Sequence, residues 1–222
     1  MPNIVEHIRA VAFDLDGTLI DTMGDLAGAV NLTLTLLGTR QLPEGRIRSF
    51  IGNGIEQLML RSLSESLDTQ MAHPAQSSAA LALFRRNYAQ ALFQRSQVFP
   101  GVVEALQSLQ EAGVALCCIT NKHSAFSEPL LEQAGLARFF AFTLCADRPE
   151  DRKPSPHLLL AACARFAISP ADMLYVGDSG IDIEAARAAG CPVVTVTYGY
   201  GGNHHTSTNG ADKSVETLTD LL

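Results

Sequence analysis

The sequence predicts an α/β protein: a Rossmann-like doubly wound parallel sheet core carrying an inserted small all-helical cap. Two observations carry this. From Phe99 to Val196 short apolar runs alternate with segments of helical periodicity, which is the pattern of parallel βαβ units. Between Thr22 and Gln97 helical periodicity is present without a strand, although an apolar run has already passed at residues 11–13. The core is therefore expected from residues 1–21 and 98–222, and the cap from residues 22–97.

Taken in order, residues 11–13 form a buried strand that ends in Asp14, Leu15, Asp16, Gly17 and Thr18. Leu26, Val30, Leu34 and Leu37 recur at helical spacing, and Gly38 can end that helix. Gly52 and Gly54 flank Asn53, and a second helical pattern follows through Leu58 and Leu63. A third runs from Pro74 toward Ser96, with Leu81, Phe84, Tyr88 and Leu92 on one face. Beyond Phe99 the expected order is a helix through Val102, Leu106 and Leu109, a strand at 114–119, and a helix at 124–134. A strand at 141–145, a helix through Leu159, Ala162 and Phe166, and a strand at 173–176 come next. The helix closed by Gly190, a strand at 192–196, and a tail with an edge strand and a last helix complete the chain.

Composition narrows the function classes. A hydrophobic content of 47% over 222 residues supports a buried core. A formal charge of -7 argues against nucleic acid as the ligand, because binding a phosphate backbone relies on clustered Lys and Arg. The five cysteines are odd in number and lack Cys-x-x-Cys spacing, so they read as buried free thiols of a reducing compartment. Residues 1–7 lack the basic start and apolar stretch of a signal peptide, and no run reaches the roughly 20 apolar residues of a membrane span. A cytoplasmic protein without membrane contact, monomer or homodimer, is the expectation. His204 and His205 on a glycine-rich loop are either a metal pair or two solvated side chains, and the loop favours the second.

Polar groups recur where strands end: Asp14 and Asp16, then Thr120, then Asp178, with Lys153 in the loop after another strand. Each has an ordinary explanation. Asp-x-Asp-Gly is a common acidic turn, Thr is common in strands, and Asp182 suits a helix N-terminus. Their convergence is harder to obtain from turn statistics, since ligands of open parallel sheets bind beyond the carboxyl ends of the strands.

The string Asp14-Leu15-Asp16-Gly17-Thr18 resembles the first motif of the haloacid dehalogenase-like hydrolases. Thr120, Lys153 and Gly177-Asp178-Ser179-x-x-Asp182 resemble the second, third and fourth in order. The resemblance implies Asp14 as nucleophile, Asp16 as acid/base, and Thr120 with the Asn121 backbone N–H as phosphate holders. It further implies Lys153 as the cation on phosphate and nucleophile. Mg2+ would be held by Asp14, Asp178 and the Asp16 carbonyl, with Asp182 supporting that shell.

Gly52-Asn53-Gly54, Thr120-Asn121-Lys122, Lys153-Pro154-Ser155-Pro156 and Thr197-Tyr198-Gly199-Tyr200-Gly201 narrow the likeness to the phosphoglycolate phosphatase family. This implies a small phosphorylated acid, 2-phosphoglycolate first, as substrate. Its carboxylate needs a donor, expected first from the Gly52 and Asn53 backbone and second from one arginine, Arg48 or its neighbour Arg46. Ile181 stands where many relatives carry Asn, which puts the surroundings of Asp182 in question. Two other readings stay open: a sugar-phosphate phosphatase or phosphosugar mutase of the same fold, and a non-catalytic phosphate-binding or interaction protein.

Overall fold

The computed structural model describes residues 7–70, 72–201 and 210–222. His204 and His205 lie outside the described residues. The chain forms two compact units, Met1–Asp21 with Val98–Leu222, and Thr22–Gln97. Among the described residues no helix is long and apolar enough to cross a membrane.

The first unit is built on β1 (Ala10–Phe13), followed at the first connection by the short β2 (Ile20–Asp21). After β3 (Gln97–Val98) come α5 (Val102–Glu111), β4 (Ala115–Thr120), α6 (Ser124–Gln133), β5 (Phe142–Cys145) and α7 (His157–Phe166). The unit ends with β6 (Met173–Gly177), α8 (Gly180–Ala189), β7 (Val193–Val196) and β8 (Lys213–Val215). Six strands pair in the order β5-β4-β1-β6-β7-β8, all parallel. Ala10 sits in register with Ala115 on one side and Met173 on the other, so β1 lies inside the sheet. Its four residues are fully buried, which is why its sequence is continuously apolar and does not alternate.

Successive residues of each strand face opposite sides. Ala10, Ala12, Cys117, Ile119, Met173, Tyr175 and Val193 meet α7 and α8 through Leu159, Ala162, Ala185 and Ala186. The alternate set, including Val11, Phe13, Leu116 and Cys118, faces away from that cluster, and α5 packs against β4. From β1 the chain moves outward to β4 and β5, then crosses back to β6, β7 and β8. The order thus reverses around β1, and the carboxyl ends of β1, β4 and β6 meet at the switch point where such sheets hold ligands.

The second unit contains α1 (Met23–Leu36), α2 (Glu44–Arg48), α3 (Gly54–Ser66) and α4 (Pro74–Ala91). Leu26, Val30, Leu34, Leu58, Leu63, Phe84 and Tyr88 form its interior, with Phe84 stacked on Tyr88 at a centroid distance of 5.6 Å. Buried Asp25 accepts hydrogen bonds from the Arg95 N–H (2.7 Å), the Ser96 N–H (3.1 Å) and the Ser96 hydroxyl.

Three local expectations change. α2 is a single turn and a half whose only buried residue is Ile47, too short to show a period. α4 stops at Ala91 because Leu92 leaves helical geometry at ψ 124° and Phe93 takes a positive φ of 58°. The last helix is only a 3-10 turn, Leu218–Leu221, set by Thr217 and Asp220 in a capping box. Four of the five cysteines are buried, Cys145 is half-buried, and all are free thiols.

Candidate active site

Asp14 directly follows β1, and its N–H donates to the Val176 carbonyl of β6 at 2.9 Å, so the sheet pairing itself fixes its position. Its Oδ1 lies 2.7 Å from Lys153 Nζ. Lys153 Nζ also donates to Asp182 Oδ1 at 2.7 Å and to the Tyr175 hydroxyl at 2.8 Å, and this cluster is buried. Burial alone would lower the lysine's pKa, but the charges of Asp14 and Asp182 outweigh it and hold the ammonium above its ordinary value. Burial likewise works to raise Asp182, and the Lys153 charge with hydrogen bonds from Lys153 and Ser179 brings it below the ordinary range.

Asp182 is the third residue of α8, where its Oδ2 accepts from the Ser179 hydroxyl (2.6 Å) and N–H (3.1 Å) in a capping box. Both of its oxygens are thus engaged from within the protein. Its partners are Lys153, Tyr175 and Ser179, and the neighbouring Ile181 is half-exposed on the first turn of α8.

Asp178 follows β6 and accepts at Oδ2 from the N–H groups of Tyr200 (2.6 Å) and Gly201 (3.3 Å). Burial pushes its pKa up to about 8, helped by the charges of Asp182 and Asp14. Asp14 is pushed up to about 6, again by burial first, with Lys153 opposing. Carboxylate oxygens of Asp14, Asp178 and Asp182 approach within 4.8 Å of one another.

Asp16, two residues after Asp14, faces a different cation. Lys122 Nζ donates to both of its oxygens at 2.8 Å. The Thr120-Asn121-Lys122 turn that delivers Lys122 leaves the end of β4, with the Lys122 N–H donating to Thr120 Oγ1 at 3.1 Å. Asn121 reaches across to the third-motif loop: its Oδ1 accepts from the Lys153 N–H (2.7 Å) and its Nδ2 donates to the Lys153 carbonyl (3.1 Å).

Asp14, Asp16, Thr120, Asn121, Lys153, Asp178 and Asp182 are therefore brought together at one end of one sheet. Gly52, Asn53 and Arg48 belong to the second unit, where Gly52 has φ 111°, Asn53 precedes α3, and Arg48 ends α2. Arg46, the neighbouring candidate donor, is paired with Glu65 at 2.7 Å.

Two participants escape a reading of strand ends. Lys122 is buried and pairs with Asp16, and only its place directly after Thr120 and Asn121 hints at a role. Tyr175 is the one aromatic residue of β6, and its hydroxyl donates to the Ile119 carbonyl at 3.2 Å while accepting from Lys153. A tyrosine in an otherwise aliphatic buried strand is the available signal.

The donor set suits a hard divalent ion. Two lysines neutralise two of the four carboxylates, and the remaining two negative charges equal what one divalent cation supplies. With Asp182 engaged through both oxygens, Asp14 and Asp178 are the side chains placed to ligate.

A family profile described as haloacid dehalogenase-like hydrolase matches residues 11–196. The chain belongs to that family. Within the haloacid dehalogenase-like hydrolases it is 47% identical over 193 residues to a phosphoglycolate phosphatase of Nitrosospira multiformis, covering 87% of this chain and 85% of the relative. It is 37% identical over 235 residues to the phosphoglycolate phosphatase of Escherichia coli, covering 99% of this chain and 93% of the relative. Among solved structures, one described as a predicted phosphoglycolate phosphatase from Haemophilus somnus superposes with a TM-score of 0.89 at 30% identity, covering 97% of this chain and 96% of that one. Inside the haloacid dehalogenase-like hydrolases the chain thus falls in the phosphoglycolate phosphatase family, and by family it is a phosphatase.

Proposed function

We propose that this chain hydrolyses a small phosphate monoester, 2-phosphoglycolate first, to the alcohol and inorganic phosphate with Mg2+ as cofactor. The observation that carries the reading is Lys153 Nζ held 2.7 Å from both Asp14 and Asp182, with Asp178 beside them. Such a cation can hold Asp14 ionised and also meet an incoming phosphate, which is what phosphoryl transfer asks of a site. The names of the relatives support the substrate.

Asp14 attacks phosphorus in line, the bond from phosphorus to the substrate oxygen breaks, and Asp16 gives that oxygen a proton. Water then attacks the aspartyl phosphate, Asp16 takes its proton, and the bond from phosphorus to Asp14 breaks to release phosphate. Thr120 and the Asn121 N–H hold phosphate oxygens. Asp14, Asp178 and the Asp16 carbonyl would hold Mg2+, which when bound neutralises the crowded negative charge. Asp182 positions Lys153 from behind. Gly52, Asn53 and Arg48 of the second unit are proposed to read the substrate carboxylate.

Purified protein with Mg2+ is assayed against a panel of phosphate monoesters. The highest kcat/KM is expected for 2-phosphoglycolate. Preference for a sugar phosphate would replace this substrate, and no turnover of any would favour a binding protein. Gly52→Val should raise KM for 2-phosphoglycolate and spare an aryl phosphate.

A further inference from the structure

Asp14 and Asp16 are separated only by Leu15, which is fully buried, yet each has its own lysine: Asp14 faces Lys153 and Asp16 faces Lys122. The Lys122 ammonium grips both Asp16 oxygens at 2.8 Å. The Lys122 side chain is 2% exposed and that of Asp16 is 16% exposed. The carboxylate therefore offers surface to an incoming group, and the ammonium lies behind it. The lysine is fixed as well, because its N–H is bound by Thr120 Oγ1 and its carbonyl accepts from the Ser127 hydroxyl at 3.3 Å.

We infer that Lys122 is a positioning residue for the reaction: it acts through Asp16, holding that carboxylate at the leaving-group side and away from Lys153. A second carboxylate close to a buried lysine is drawn to it, and Asp16 sits two residues from one that Lys153 already holds. Without Lys122, Asp16 would lose the ammonium that fixes both of its oxygens, and the acid/base would leave its place. Displacements of about 1 Å can cost about 100-fold in rate. The inference rests on the proposed phosphatase chemistry, in which Asp16 serves both steps.

This role has a signature that general loss of structure lacks. An alkyl substrate needs the proton from Asp16 for its leaving oxygen, whereas 4-nitrophenyl phosphate has a leaving group acidic enough to depart with little help. Both need Asp16 in the second step, when water attacks the aspartyl phosphate. Lys122→Met should therefore lower kcat for 2-phosphoglycolate by about 100-fold or more. With 4-nitrophenyl phosphate the same variant should show a rapid burst of nitrophenolate, close to one per enzyme, followed by slow turnover. Lys122→Arg, which keeps a charged donor, should recover part of the loss.

Equal losses on both substrates with no burst, in protein whose thermal transition matches wild type, would overturn the inference. So would unchanged kcat in Lys122→Met. Wild-type protein inactive on both substrates would instead overturn the phosphatase reading beneath it. Should Lys122→Met not fold, Lys122→Gln carries the same measurements.

Discussion

Asn121 and Lys153, 32 residues apart, hold each other through both backbone groups of the lysine: the amide oxygen accepts from its N–H and the amide nitrogen donates to its carbonyl. The loop that presents the central cation is thereby fastened to the end of β4. Asn121→Ala would leave a buried N–H and a buried carbonyl without partners, at about 1–3 kcal/mol for each group left unsatisfied. A drop of several degrees in the thermal transition is expected, together with a larger loss in kcat than in KM as Lys153 loses its fixed place. Unchanged melting and turnover would show that the loop is held by other contacts.

Asp14→Asn tests the nucleophile. The amide keeps an oxygen near Lys153, and Asp182 still pairs with the ammonium at 2.7 Å, so the buried lysine is not stranded. Turnover should vanish while the thermal transition moves by only a few degrees. Appreciable phosphate release by this variant, free of wild-type contamination, would rule out covalent catalysis at this position.

The acids also predict how metal binding depends on pH. With folded pKa values of about 6 for Asp14 and about 8 for Asp178, against 3.8 for an unperturbed Asp, these two groups hold more protons folded than unfolded. Their contribution to stability without metal therefore falls as pH rises from about 4 to about 8. A divalent ion has to displace those protons. Calorimetric titration of Mg2+ near neutral pH, in buffers of different ionisation enthalpy, should reveal proton release, and affinity should rise as pH is raised through this window. Identical heats in all buffers would contradict the assignment. Asp178→Asn should weaken Mg2+ binding and raise the melting temperature of metal-free protein at pH 8, by about 2–4 °C per kcal/mol relieved.

Glycine packing offers a separate test of the same acid. A Cβ added at Gly199 would collide with Cβ and Oδ2 of Asp178, so the carboxylate holds its place only while that position lacks a side chain. Gly199→Ala should raise the Mg2+ concentration required for half-maximal activity, with a smaller change in maximal rate at saturating metal. Wild-type metal dependence in this variant would show that Asp178 can shift without consequence.

The sheet and its acids were legible in the sequence because burial on both faces leaves strands continuously apolar, and an acid at the end of such a run stands out. Asp14 and Asp178 stand out directly after β1 and β6, and Thr120 as the polar last residue of β4. Lys122 does not. Its ammonium meets a carboxylate 106 residues away, and no local spacing encodes a pairing made only by strand order. Tyr175 has the same character, since its hydroxyl serves Lys153 through the register of β6. α2 escaped for another reason: a five-residue helix with one buried residue has no period to read. Arg46 shows a third limit, because a candidate donor in sequence is committed to Glu65, 19 residues on, once the chain is folded.

The position of β1 inside the sheet has a consequence for how the protein is made. The strand that leads into Asp14 is synthesised before both of its partners, because β4 and β6 begin at Ala115 and Met173. Some hundred residues must be synthesised before its first neighbour exists, and still more before the second. During that interval a wholly apolar segment waits unpaired, in a topology dominated by distant contacts that close slowly. Asp14 thus waits for surroundings that are synthesised long after it. A nascent chain stalled short of β6 would expose the edge of β1 to other chains, making early arrest a route to aggregation.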